Sequence, residues 1–134
     1  MVEIVWQSWF ELGNFRIDSE HRVFLDLIMG LNHDHGAGIA ADKLARSLKE
    51  IHKYAEFHFL SEENMMIDVG YPQRETHAAE HAKILHVLEA NMDKLIKGDD
   101  ILDEFLTFLY DWFSEHTVGT DYHLTQYISA KSTR

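Results

Sequence analysis

The chain has 134 residues, of which 46% are hydrophobic and 26% are charged, so we expect one globular domain rather than a disordered chain. Its formal net charge of −11 repels phosphate backbones and anionic lipids, which argues against nucleic-acid and membrane partners. Cysteine is absent, which excludes disulfides, thiolate metal sites and cysteine nucleophiles. We also find neither a signal-peptide pattern nor a long apolar run, and therefore expect a cytoplasmic protein.

Seven glycines and one proline are few for this length and favour long helices. Residues 1–18 are rich in aromatic side chains and are predicted to form a non-helical N-terminal arm, packed over the end of the domain. Asp18 or Ser19 is the predicted N-cap of the first helix, and residues 33–38 are a predicted loop. Apolar residues at three- and four-residue steps predict four helices, at about 19–32, 39–68, 73–97 and 101–129.

Four amphipathic helices with short connections predict an all-α fold, the antiparallel up-down-up-down four-helix bundle. We expect a single domain over residues 1–134, with the arm at 1–18 and the bundle at 19–130. No internal linker or low-complexity segment interrupts the chain.

Two pairs of polar residues interrupt the apolar stripes of the second and third helices. His58 and Glu62 are four residues apart, as are His77 and His81, so each pair lies on one helix face. An imidazole and a carboxylate one turn apart, or two imidazoles, are typical of part of a metal site. Because a short turn joins the two helices, both pairs are predicted to lie at the same end of the bundle.

Three further polar residues are predicted to reach that end. His21 begins the first helix and His116 lies near the end of the fourth. Asp121 follows His116 by five residues, which on a regular helix is about 140° off its face, but Gly119 would permit a local widening. A solvated surface charge is the alternative for Asp121.

A lone histidine in an apolar stripe is usually a core residue hydrogen-bonded to a neighbour, whereas a buried unpaired carboxylate is costly. A bound cation would compensate all of these polar groups together, so we predict a metal site. The predicted ligands are His21, His58, Glu62, His77, His81, His116 and Asp121.

This ordered series resembles the hemerythrin family, in particular its bacterial single-domain members. The resemblance covers essentially the whole chain and includes Trp6 in the arm, the segment Ile17-Asp18-Ser19-Glu20-His21 and the turn Gly70-Tyr71-Pro72. It implies a non-haem di-iron centre with an oxo or hydroxo bridge that binds dioxygen reversibly.

The resemblance also implies a role for each ligand. One iron would be held by His77, His81 and His116, the other by His21 and His58, and both would be bridged by Glu62 and Asp121. This set leaves one coordination position open, on the iron with two histidines. Iron is chosen from the resemblance, because zinc, copper or nickel could also enter a site of imidazoles and carboxylates.

We expect a protein without enzymatic activity that carries, stores or delivers oxygen. One alternative is a sensor that reports oxygen or redox state to a partner protein. Another is a di-iron reductase of peroxide or nitric oxide, although the sequence has no flavin or haem motif to supply electrons. A third is metal handling, with the metal held as cargo.

The expected oxygen pocket needs an apolar lining, for which the candidates are Phe24, Phe59, Trp112 and Phe113. Thr117 stands where the family often has an apolar residue near this pocket. We expect its hydroxyl to admit water and to speed oxidation, so that Thr117→Ile would autoxidise more slowly. Surface or supporting positions are expected for His33, His35, His52, His86 and His123.

Overall fold

A computed structural model describes residues 3–132, and the regular structure within that range is entirely helical. The bundle is antiparallel, and a 3-10 turn at Ser8–Phe10 lies in the N-terminal arm. A π-helix at Thr117–Asp121 joins the fourth long helix to the last helix, so these elements together form the fourth helix of the bundle. The predicted fold class is confirmed. The helices are α1 (Phe15–Gly36), α2 (Ala41–Val69), α3 (Arg74–Ile96), α4 (Leu102–His116) and α5 (Tyr122–Ser132).

The first helix begins earlier than the sequence suggested. The side chain of Asn14 caps it by accepting a hydrogen bond from Ile17 N at 3.0 Å, so the predicted cap at Asp18 or Ser19 is wrong. Asp18 instead accepts bonds from the backbone N–H groups of Leu12 (2.9 Å) and Gly13 (3.0 Å). It therefore ties the arm to the helix.

The first helix also ends later, at Gly36, so most of the loop predicted at 33–38 is helical. The second helix ends at Val69 and is capped by Gly70, whose φ of 65° is left-handed and suits glycine. Tyr71 N–H then bonds to Met66 O at 2.9 Å, which turns the chain sharply into α3. This turn brings the last turns of α2 beside the first turns of α3.

The apolar core is divided into a large cluster and a small one. Helix α1 contributes Ile17 to the small cluster and Phe24 to the large one, and helix α2 contributes Met66 to the small cluster and Ala55 to the large one. The predicted ligands of these helices lie between the two in sequence, so they form a polar layer between two apolar layers. The arm closes the large cluster through the fully buried Phe10.

None of the helices in residues 3–132 combines the length and apolar character that a membrane span needs.

Candidate metal centre

The seven predicted ligands come together in one buried place, each exposed by 7% or less. They form two overlapping groups, in each of which the ligand atoms lie within 4.8 Å of one another. One group contains three histidines, the other contains two, and the two carboxylates belong to both. The groups are Glu62, His77, His81, His116 and Asp121, and His21, His58, Glu62 and Asp121.

The two oxygens of Glu62 face different groups. Oε2 lies 3.1 Å from His58 Nε2 and 3.5 Å from His21 Nε2. Oε1 lies 3.1 Å from His81 Nε2 and 3.3 Å from His77 Nε2. Glu62 is therefore placed to bridge two cations.

Asp121 is divided in the same way between the two groups. Its Oδ2 lies 3.0 Å from His21 Nε2. Its Oδ1 lies 3.1 Å from His77 Nε2 and 3.1 Å from His116 Nε2. Because the opposite sides of both carboxylates meet different imidazoles, the centre has room for two ions rather than one.

The donor atoms themselves test whether cations fit. Several are buried without an aligned hydrogen bond to any of the described residues, although they lie close to one another. Each such atom costs about 1–3 kcal/mol, and a cation within each group would be a shared partner for them. The residues therefore fit a pair of metal ions. The unpaired atoms include both Glu62 oxygens, Asp121 Oδ1 and the Nε2 atoms of His77, His81 and His116.

Asp121 reaches the centre because of the π-helix. A π-helix closes its turn with one more residue than an α-helix, so positions i and i+5 share a face. This brings Asp121 beside His116, as the sequence predicted. A Cβ at Gly119 would meet no atom within 4 Å, so no lack of space requires glycine at this position.

Three carboxylates that the sequence analysis missed orient the imidazoles. Glu20 contacts His58 Nδ1 at 2.7 Å, Glu63 contacts His81 Nδ1 at 2.8 Å, and Glu80 contacts His116 Nδ1 at 3.2 Å. A carboxylate on Nδ1 fixes the ring and presents Nε2 to the metal.

These three contacts follow one pattern around the bundle. Glu20 lies on α1 and holds a histidine of α2, Glu63 lies on α2 and holds one of α3, and Glu80 lies on α3 and holds one of α4. Each of the three is next to a predicted ligand in sequence. This adjacency is the sequence feature that could have identified the three carboxylates. Each of them, however, contacts a histidine on the following helix rather than the ligand beside it in the chain.

Glu20 is the most constrained of the three. It also accepts a hydrogen bond from Ser61 Oγ at 2.9 Å and one from Arg16 Nε at 3.1 Å. Burial opposes its ionisation, but the hydrogen bonds from His58, Ser61 and Arg16 outweigh burial and lower the pKa of Glu20. The group is thus a fixed anion behind His58.

Replacing Glu20 by glutamine should weaken metal binding about 10- to 100-fold, because His58 loses a charged partner on Nδ1. Competition with a chelator of known affinity measures this change. The matched control is Glu89→Gln, since Glu89 contacts His52 Nε2 at 3.0 Å outside the centre. Equal affinity in Glu20→Gln and the parent would show that Glu20 does not support the centre.

The electrostatics of the metal-free centre favour ion pairs. Burial alone would lower the pKa of His58 and His77, but Glu62, Glu20 and Asp121 raise these values to about 10 and about 9. Burial alone would raise the pKa of Glu62 and Asp121, yet the surrounding histidines hold both below their ordinary values. Without metal, protons therefore take the place of cations on these imidazoles.

Aromatic rings cover the outer faces of the imidazoles. Phe59 stacks on His81 with centroids 4.1 Å apart, and Trp112 stacks on His116 at 4.5 Å. Phe113 meets His21 edge-on at 5.4 Å. The fourth candidate, Phe24, lies one ring further out, against Phe113 and Tyr54.

The other five histidines lie outside the two groups. Two of them are partly buried, His35 contacting Asp103 at 3.1 Å and His52 contacting Glu89. Three are exposed, namely His33, His86 and His123.

A family profile described as "Hemerythrin HHE cation binding domain" matches residues 13–128. The chain belongs to the hemerythrin family. Bacteriohemerythrin of Clostridium acetobutylicum is 33% identical over 122 residues, covering 87% of this chain and 95% of that protein. Bacteriohemerythrin of Stenotrophomonas maltophilia is 31% identical over 123 residues, covering 90% of this chain and 78% of that protein. The predicted family is thus confirmed over most of this chain.

A more distant relative is the hemerythrin-like protein of Naegleria gruberi. It is 26% identical over 116 residues, which cover 87% of this chain and 86% of that protein. The residues that the family profile matches, 13–128, include the end of the arm, the bundle and all seven residues of the centre.

Proposed function

We propose that this hemerythrin holds two iron ions in the buried centre and binds dioxygen reversibly, to carry, store or deliver it without catalytic turnover. The observation that carries the proposal is the pair of imidazole-rich groups that share two carboxylates. Relatives named bacteriohemerythrin support it. Two further parts rest on the sequence alone: a cytoplasmic location, and a protein partner that receives oxygen or a signal.

The residues that would hold the metals follow from the two groups. When bound, the iron pair supplies electrons that pass to dioxygen and return. The protein fixes five imidazoles and two carboxylates around the pair before any ligand arrives. The first iron would take His77, His81 and His116, the second His21 and His58, and both would share Glu62 and Asp121.

The chain's own side chains protect this reversibility in two ways. Phe59, Trp112 and Phe113 lie against the imidazoles and exclude water from the centre. As shared ligands of two cations, Glu62 and Asp121 would be ionised and would hold no proton to donate. Dioxygen is then able to leave unchanged.

Dioxygen uptake in a closed vessel tests the proposal. The reduced, iron-loaded protein should take up one dioxygen for each pair of irons and release it when the vessel is purged. With excess ascorbate present, uptake should stop at that ratio. Sustained consumption would contradict the carrier function, because it would show catalytic turnover of dioxygen at the centre.

Thr117 is the residue of this chain that we expect to limit reversibility. It is 1% exposed, directly follows His116 and is the first residue of the π-helix. Because the position is tightly buried, Thr117→Val, which keeps the volume and removes the hydroxyl, is a better test than a larger residue. The rate of autoxidation, followed by visible absorption, should fall in this variant.

The control for Thr117→Val is the same change at the exposed Thr107, which should leave autoxidation unaltered. An unchanged rate in Thr117→Val would show that its hydroxyl does not admit water or protons.

A further inference from the structure

The carboxylate that contacts His116 is more exposed than the other two that orient imidazoles. The side chain of Glu80 is 45% exposed, against 32% for Glu63 and 10% for Glu20. It lines two surface grooves, one between α3 and α5 and one between α3 and α4. An exposed glutamate changes rotamer rapidly and loses rotamer freedom when it is held in one place. A second contact is therefore needed to keep Glu80 on His116.

Thr120 supplies such a contact. Its hydroxyl donates a hydrogen bond to Glu80 Oε2 at 3.0 Å, and the same oxygen lies 3.2 Å from His116 Nδ1. Because one oxygen meets both groups, the position of the Thr120 hydroxyl determines where the acceptor for the imidazole lies. Thr120, Glu80 and His116 thus form a continuous polar chain that ends at the metal centre.

The orientation of the His116 ring depends on this chain. Trp112 stacks on the ring with centroids 4.5 Å apart and an interplanar angle of 16°. Stacking opposes tilting of the imidazole, but rotation of the ring within its own plane keeps the two faces in contact. A partner at Nδ1 fixes that rotation and so determines where Nε2 points. Nε2 is the atom that lies 3.1 Å from Asp121 in the centre.

The same order of groups occurs behind His58. Ser61 Oγ donates to Glu20 at 2.9 Å, and Glu20 contacts His58 Nδ1 at 2.7 Å. In both cases the hydroxyl residue follows its histidine by three or four positions, and the carboxylate comes from the preceding helix. A hydroxyl, a carboxylate and an imidazole therefore recur in this order, once in each of the two ligand groups.

Glu80 has a competing partner close by. Lys83 follows it by three residues on α3, a spacing at which opposite charges attract, and lines the groove between α3 and α4 with it. The Thr120 hydroxyl lies on the other side, in the groove between α3 and α5. Loss of this hydroxyl therefore favours rotamers in which the carboxylate turns away from His116.

We propose that Thr120 is a positioning residue of the metal centre, which acts through Glu80 to fix the imidazole of His116. The inference rests on the metal centre of the proposed function but not on dioxygen binding. Without the hydroxyl, the group of three histidines contains one ligand whose direction is poorly fixed, so it binds a metal ion less tightly.

Zinc affinity, measured by competition with a chelator of known affinity, tests this role without redox chemistry. Thr120→Val removes the hydroxyl and should weaken zinc binding about 3- to 10-fold, somewhat less than loss of a whole supporting group. Thr120→Ser retains the hydroxyl and should bind zinc as the parent does. The matched control is Thr76→Val, an exposed threonine of the same groove, which should leave the affinity unaltered. Equal affinity in Thr120→Val and the parent would overturn the proposal.

A double-mutant cycle separates positioning from packing. In a Glu80→Ala background, Thr120→Val should cause no further loss of zinc affinity, because the residue through which Thr120 acts is absent. A further loss as large as that in the parent would show that Thr120 acts through the packing of the π-helix, and would overturn the proposal.

The Nδ1–H of His116 gives a direct readout in protein loaded with diamagnetic zinc. Thr120→Val should make this proton exchange faster with water, as followed by NMR, and should leave the Nδ1–H of His58 unaltered. Unchanged exchange at His116 would contradict the proposed role. A parent protein that binds no zinc would instead contradict the metal centre itself, so the two failures are distinguishable.

Discussion

Replacing Glu62 by glutamine is expected to remove at least one of the two metal ions from the centre. Glu62 is fully buried, and its oxygens lie within 3.5 Å of Nε2 atoms from four of the five imidazoles. Glutamine keeps the shape but loses the charge and replaces one bridging oxygen with an NH2 group. Iron per chain, measured after loading with excess ferrous iron and desalting, should fall accordingly.

The control for this variant is Glu56→Gln. Glu56 contacts His52 Nδ1 at 3.4 Å on the surface, so the substitution also removes a carboxylate beside a histidine. It should retain the full metal content. Full occupancy in Glu62→Gln as well would show that Glu62 does not bridge the metals.

Removing the metals should lower the melting temperature by about 10 °C or more. A ligand present at 1,000 times its dissociation constant stabilises the folded state by about 4 kcal/mol, and each kcal/mol is worth roughly 3–5 °C in a domain of this size. The buried polar layer loses its cations, and protons on the histidines replace them incompletely. Thermal unfolding with and without a chelator, under reducing conditions, measures the difference.

The size of this difference should depend on pH. In the metal-free protein the pKa values of His58 and His77 are raised to about 10 and about 9, from an ordinary value of 6.5. The stability they contribute is fully present below pH 6.5 and is lost as the pH rises through 9 to 10. Metal-bound imidazoles are already neutral and have no proton to lose. The gap in melting temperature should therefore widen from pH 6.5 to pH 9.

Glu62→Gln again provides the control, because a protein that holds less metal should lose less stability to the chelator. A parent protein whose melting temperature is the same with and without chelator would contradict the account of the buried layer as a metal centre.

The ligand set could be predicted from sequence because helical geometry is local. His58 and Glu62 must share a face wherever their helix packs, and so must His77 and His81. The short turn at Gly70 then determines which faces meet. Asp121 was harder to predict as a ligand, because residues five apart share a helix face only if the helix widens. The resemblance of the chain to the hemerythrin family decided in its favour.

The supporting carboxylates could not be predicted in the same way. Glu20, Glu63 and Glu80 lie one position from a predicted ligand, which turns them toward the adjacent helix rather than the centre. Their partners therefore depend on how each neighbouring helix is rotated about its axis. Hydrophobic periodicity does not determine this rotation precisely enough to predict a hydrogen bond.

The start of α1 was misplaced for a related reason. Both Asn14 and Asp18 have side chains suited to capping, and the choice between them depends on where the arm runs. Asp18 bonds to the backbone of the arm, so it was not available as the cap.

Visible absorption and iron content, measured together, test the central claim most directly. The protein would be reduced without air, exposed to air and then purged. We predict two irons per chain and a charge-transfer band that appears with air and disappears on purging. A protein that binds no iron, or one whose spectrum changes irreversibly on first exposure to air, would contradict the account.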